Sequence, residues 1–130
     1  MVRRKQMEPS QVGRTKGGVV SASRSKGTAF ETLIVRYLQS RGWTHAERRA
    51  LHGAVDKGDI TGTGPLVWEC KNHKSLDISA WLKETEQERQ NANADHGILV
   101  VKRRSYGDPA DQYAIMRLEN LVSLLKEVGY

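Results

Sequence analysis

Between residues 28 and 41 the apolar side chains Phe30, Leu33, Ile34, Tyr37 and Leu38 recur at the spacing that keeps one face of a helix dry. The pattern predicts an amphipathic helix, with Thr28 placed to cap its start and Gly42 to stop it in a left-handed conformation. The period then changes. Residues 43–49 predict a first strand, residues 53–60 a second strand or turn, and residues 66–71 a third. Gly62, Gly64 and Pro65 mark the connection before the third strand. Asp77 and Ser79 introduce a long polar helix reaching residue 94. Its apolar contacts are Ile78, Trp81 and Leu82, with Thr85 and Ala92 as weaker extensions of that face. Ile98-Leu99-Val100-Val101, within residues 97–102, is apolar throughout and suits a buried central strand. Residues 113–118 predict a short strand, and Leu121, Val122, Leu124 and Leu125 a closing amphipathic helix. The expected order is α-β-β-β-α-β-β-α, an α/β fold with a mixed central β-sheet flanked by helices and no internal repeat.

Composition adds the charge. The 130-residue chain carries a net charge of +6, and residues 1–26 hold all of it. That segment contains Arg3, Arg4, Lys5, Arg14, Lys16, Arg24 and Lys26 against Glu8 alone, while the rest has fourteen basic and fourteen acidic side chains. It is rich in Gly and Ser and lacks apolar periodicity, so it is expected to be a disordered arm ahead of one domain over residues 27–130. Such an arm could merely solvate the chain, but beside a candidate nuclease site its basic residues are expected to bind DNA, neutralising phosphates and gaining affinity from counterion release. No apolar run approaches the roughly 20 residues of a membrane span, and nothing resembles a signal peptide. A cytoplasmic protein is expected. The single cysteine, Cys70, excludes an internal disulfide framework and a cysteine-rich zinc site.

The candidate chemistry lies in residues 56–71. Asp59 sits at a turn next to Gly58, and ten residues later the apolar run Leu66-Val67-Trp68 delivers Glu69, Cys70 and Lys71. Alternate side chains of a strand share a face, so Glu69 and Lys71 point one way and Cys70 points into the sheet. If the two stretches pair, Asp59 reaches the Glu69–Lys71 face. Two carboxylates and an ammonium are what metal-assisted phosphodiester cleavage requires: hard oxygen ligands for Mg2+ and a cation beside the water or phosphate. The competing reading is a solvated strand face with a cross-strand ion pair. It fits less well, because ionised groups following an apolar run are costly to bury unless paired or coordinated.

A helix carrying an early glutamate, a three-stranded meander with Asp and then Glu-x-Lys, a helix and a further strand resemble the core of the PD-(D/E)XK nuclease superfamily. Within it the chain is most similar to the small Holliday junction resolvases, including phage-encoded resolvase-like endonucleases. The resemblance spans about residues 27–118 and rests on Glu31, Gly58-Asp59-Ile60 and Trp68-Glu69-Cys70-Lys71. Gly58 replaces a proline of the usual motif, and neither Gln87 nor Gln90 has a tyrosine four residues on. The resemblance implies a restriction-endonuclease-like core and a Mg2+- or Mn2+-dependent endonuclease acting on branched DNA, most of all four-way junctions, in recombination and repair. It implies that Asp59 and Glu69 bind the ion, with the Cys70 carbonyl as a third ligand. Lys71 would lower the pKa of the attacking water or stabilise charge on the phosphate. Glu31 would hold a water of the ion or a second ion; otherwise it only complements the helix dipole in a first turn. The alternatives are a restriction-like or flap nuclease, or a DNA-binding module without catalysis.

Cutting both strands of a junction calls for two sites, hence a two-fold homodimer. Its interface is expected on Trp81 and Leu82 or on Leu121 and Leu125, unless these pack on the sheet. His45, His52, His73 and His96 lack metal-ligand spacing. Arg48, Arg49, Lys102, Arg103 and Arg104 either contact phosphate or are solvated strand ends. A phage-encoded enzyme would work in the host cytoplasm.

Overall fold

The structure, a computed structural model, describes residues 16–50 and 55–130. Along them run α1 (Lys16–Ser40), β1 (Glu47–Arg48), β2 (Ile60–Thr61), β3 (Leu66–Lys71), α2 (Ile78–Asn91), β4 (His96–Val101), β5 (Tyr113–Ile115) and α3 (Leu118–Glu127). A single 3-10 turn, Pro109–Asp111, precedes β5. The result is a mixed α/β fold. β3 and β4 pair in parallel, with Glu69 beside Leu99 and Lys71 beside Val101. β5 adds antiparallel to β4. β1 and β2 form a separate antiparallel pair, held to the free edge of β3 where the Asp59 amide donates to the Trp68 carbonyl at 2.8 Å.

The strand period divides the core in two. Cys70, Ile98 and Val100 pack with Phe30, Ile34, Val35 and Leu38 of α1. Leu99 and Val101 pack with Trp81 of α2 on the opposite face. β4 is therefore covered on both sides, as its unbroken apolar run requires. Trp81, within reach of the sheet, is buried and cannot serve as a dimer interface; Leu82 packs partly against the same cluster. The apolar residues of α3 differ. Leu118, Leu121, Val122 and Leu125 are exposed, and His96 Nε2 lies 2.9 Å from Glu127 Oε1 at the far end of the helix.

Several boundaries depart from the local patterns. α1 begins at Lys16, so Thr28 lies inside the helix instead of capping it, and residues 16–26 are helical rather than disordered. Once Phe30 to Leu38 anchor the helix, each added residue costs little, and no proline interrupts the chain back to Lys16. Gly27, at about 1 kcal/mol less favourable than alanine in a helix, does not stop it. Arg3, Arg4, Lys5 and Arg14 lie outside the described residues. Gly42 ends α1 as expected: its φ is +116°. Trp43 N–H returns to the Leu38 carbonyl at 3.0 Å and Gly42 N–H to that of Gln39 at 3.3 Å, the paired bonds of a left-handed helix stop. The first two strands shrink to two residues each because only they find partners; residues 51–54 of the expected second strand lie outside the described residues. α2 stops at Asn91, ahead of Asn93 with φ +53°. β5 ends at Ile115, since Leu118 already starts α3. No helix of the described residues is long and apolar enough to cross a membrane.

Candidate metal centre

β3 turns Glu69 and Lys71 towards α2 and Cys70 towards α1. The Cys70 thiol is held well above its ordinary pKa, first by burial and then by Asp59, so it is an inert core group and not a nucleophile. Its amide has another use. It faces the edge of β3 that no strand pairs at this level, and Asp59 Oδ2 accepts from it at 2.8 Å. Gly58 makes that approach possible. Its φ is +98°, and a Cβ there would lie 2.8 Å from Val67 Cγ1 and 3.1 Å from the Trp68 carbonyl oxygen. The chain can press Asp59 onto β3 only where a side chain is missing and the left-handed region is open.

The three charged groups meet at a hollow of about 410 Å³, whose wall includes Lys26, Glu31, Asp59, Glu69, Lys71 and His73. Burial lifts the Asp59 carboxyl to about pKa 6; the Cys70 amide opposes the rise, and Glu31 adds to it. Glu69 is pushed much further, by burial first and then by Asp59 and Glu88. It is only 4% exposed. Its Oε2 lies 3.2 Å from Lys71 Nζ, but its Oε1 is buried with no hydrogen-bond donor. Burial works against the Lys71 ammonium, yet Glu84 at 3.0 Å and Glu69 outweigh it and raise its pKa above the ordinary value. Lys71 is thus a fixed positive charge, not a base.

Because Glu69 faces α2, that helix contributes groups the sequence reading passed over. Trp81, Thr85 and Glu88 form its buried stripe. Glu88 is 1% exposed, and neither of its carboxylate oxygens has a donor. Burial raises it to about pKa 8, with the Asp56 and Glu84 charges adding to the effect. Asp56, Glu84 and Glu88 bring three oxygens within 4.8 Å of one another, an arrangement that can hold a metal ion. The signal was present in the helical period: position 88 continues the 81 and 85 stripe, and a carboxylate there breaks an otherwise dry face.

Glu31 accepts from Arg48 Nε at 2.9 Å. It lies deep within α1, with no acidic residue in that helix's first turn, so complementing the helix dipole does not explain it. Arg48 is thereby committed to an ion pair and reaches Thr28 Oγ1 at 3.4 Å. Lys16 opens α1, while Arg24 and Lys26 are exposed along it. Beside the acidic hollow lies a second of about 350 Å³, walled by Lys26, His73, Lys74, Lys102 and Arg104. Arg103 does not join it; its guanidinium stacks 3.6 Å from the Tyr106 ring centre. His73 leans on Trp81, with ring centres 5.2 Å apart. Comparison with known protein families, with characterised proteins and with solved structures gives no match.

Proposed function

We propose that this chain is a metal-dependent DNA endonuclease of the PD-(D/E)XK kind, with a restriction-endonuclease-like core, acting on branched DNA and above all on four-way junctions. The observation that carries the reading is the meeting of Asp59, Glu69 and the charged Lys71 at one hollow that opens beside a basic one. The donor set fits a hard divalent ion. The buried, donor-free Glu69 Oε1 and the neighbouring Asp59 carboxylate are oxygen ligands in need of a cation. Asp59 and Glu69 would hold Mg2+ or Mn2+, with the Cys70 carbonyl and Glu31 as further ligands or water holders. Such an ion supplies Lewis acidity to a phosphate oxygen and to water.

The chain's own residues do the rest. Asp59 stays oriented by the Cys70 amide. Lys71, held charged by Glu69 and Glu84, offers its ammonium to the phosphate as negative charge builds on it. Lys26, Lys74 and Arg104 receive flanking phosphates, and the basic residues ahead of α1 add to the electrostatic footprint. A two-fold dimer through the exposed apolar face of α3 would present two such sites to a junction.

The test is cleavage of labelled junction, flap, duplex and single-stranded DNA with and without Mg2+. Paired symmetric nicks on the junction are expected, lost in Asp59→Asn and Glu69→Gln. A protein that sediments as a monomer on DNA and prefers flaps would be a flap nuclease. Binding without any cleavage would leave a DNA-binding module.

A further inference from the structure

Glu88 has no role in the chemistry above, yet it is among the most completely enclosed side chains of the described residues. A carboxylate so buried ordinarily accepts from several donors. This one has no N–H or hydroxyl donor at either oxygen; only a proton shared with another carboxyl, Glu69 or Asp56, could satisfy it. Its charged surroundings are Asp56, Glu69 and Glu84, all acidic. The nearby ammonium of Lys71 is already engaged by Glu69 and Glu84. Anionic oxygens outnumber the positive charge that could balance them.

We propose that Asp56, Glu84 and Glu88 hold a hard divalent cation of their own, in a site separate from the one at Asp59 and on the α2 side of Glu69. The three oxygens lie within 4.8 Å of one another. Oxygens sharing one ion span up to about 4.2 Å on Mg2+ and about 5 Å on Ca2+, given ligand distances of about 2.1 and 2.5 Å. A Ca2+ ion is therefore within reach of the cluster with small side-chain adjustment, and Mg2+ or Mn2+ would draw the three oxygens closer together. Glu84 and Glu88 are one helical turn apart on α2 and project together. Asp56 comes from the loop before β2, held there by the Gly58 amide on its Oδ1 at 2.9 Å and by the Asn91 side chain on its carbonyl at 2.8 Å. Asp56 is exposed and Glu84 partly so, which leaves the ion a path from solvent. Bound, it would fasten the loop that carries Asp59 to α2 and remove the need for a proton on Glu88.

Calorimetric titration of the full chain with Ca2+ or Mn2+, and thermal unfolding with the same ions, test this without reference to cleavage. Asp59→Asn should still bind the ion, and its melting temperature should still rise on addition. Asp56→Asn should weaken binding by about tenfold or more, and Asp56→Asn/Glu84→Gln should remove this site. Both residues are at the surface, so these variants keep their fold. Glu88→Gln, which replaces the charge with a neutral group of the same shape, should also lose the ion while remaining folded in chelator. Loss of all binding in Asp59→Asn would overturn the proposal, since one site at Asp59 and Glu69 would then explain everything. Binding unchanged in Asp56→Asn/Glu84→Gln would do the same, as would the absence of binding in the wild-type chain. If the chain cuts no DNA but Asp59→Asn still takes up Ca2+, this site stands and the nuclease reading falls.

Discussion

Replacing Glu69 by glutamine should stabilise the metal-free protein while removing a ligand of the proposed ion beside Asp59. Glu69 is almost fully enclosed, and burial together with Asp59 and Glu88 raises its pKa well above neutrality. Its ordinary pKa is 4.5, so keeping it protonated in the fold at pH 7 costs roughly 3 kcal/mol, at about 1.4 kcal/mol per pH unit. Glutamine has the same shape and no such cost. Lys71 keeps a partner, because Glu84 Oε1 is 3.0 Å away and the new amide oxygen can still accept. The net gain should be about 2–3 kcal/mol, roughly 6–12 °C in melting temperature for a domain of this size. The sign follows from the direction of the shift. A raised carboxyl contributes its full stability below pH 4.5 and loses it as pH rises towards its folded pKa. The two proteins should therefore converge near pH 4 and separate progressively up to pH 7. Urea or thermal unfolding in chelator across that range measures the gap, and saturating Mg2+ should narrow it, because an ion held by Asp59 and Glu69 stabilises only the wild type. A Glu69→Gln protein less stable than wild type at pH 7 in chelator would refute the reasoning. It would mean that the Lys71–Glu69 ion pair outweighs the burial of the charge.

Lys71→Ala should slow single-turnover cleavage by about 10²–10³ while changing DNA affinity little, because its charge matters most as the phosphate gains negative charge. Gly58→Ala should cost about 1–3 kcal/mol in urea unfolding and misplace Asp59, given the positive φ and the 2.8 Å approach to Val67 Cγ1. Removing Lys26, Lys74 and Arg104 together should make the slope of log affinity against log salt shallower by about 2–3 units, at about 0.9 per phosphate contact. An unchanged slope would place the DNA elsewhere.

The residues that meet at the hollow show what a sequence can determine alone. That Glu69 and Lys71 share a face with Cys70 turned away is local, since the period of a strand is two whatever it packs against. The span of β3, the enclosed β4 and the stop of α1 at Gly42 were legible for the same reason: each is decided by neighbours a few positions apart. The remainder depended on contacts between distant segments. Which helix covers the Glu69 face decides that Glu84 and Glu88 join it; the helical period alone puts Glu88 on the stripe of Trp81 and Thr85 but does not say what it meets there. The same packing buries Trp81, which the sequence left open as an interface. The start of α1 at Lys16 was hidden because residues 16–26 carry no apolar stripe; a helix anchored further along propagates at little cost per residue. Glu31 looked like a first-turn carboxylate until that longer helix placed it mid-way, opposite Arg48. Periodicity sets the face a side chain occupies, but the charge it meets there is set by chain closure over tens of residues. For a cluster of buried carboxylates with one ammonium among them, that second step decides the chemistry.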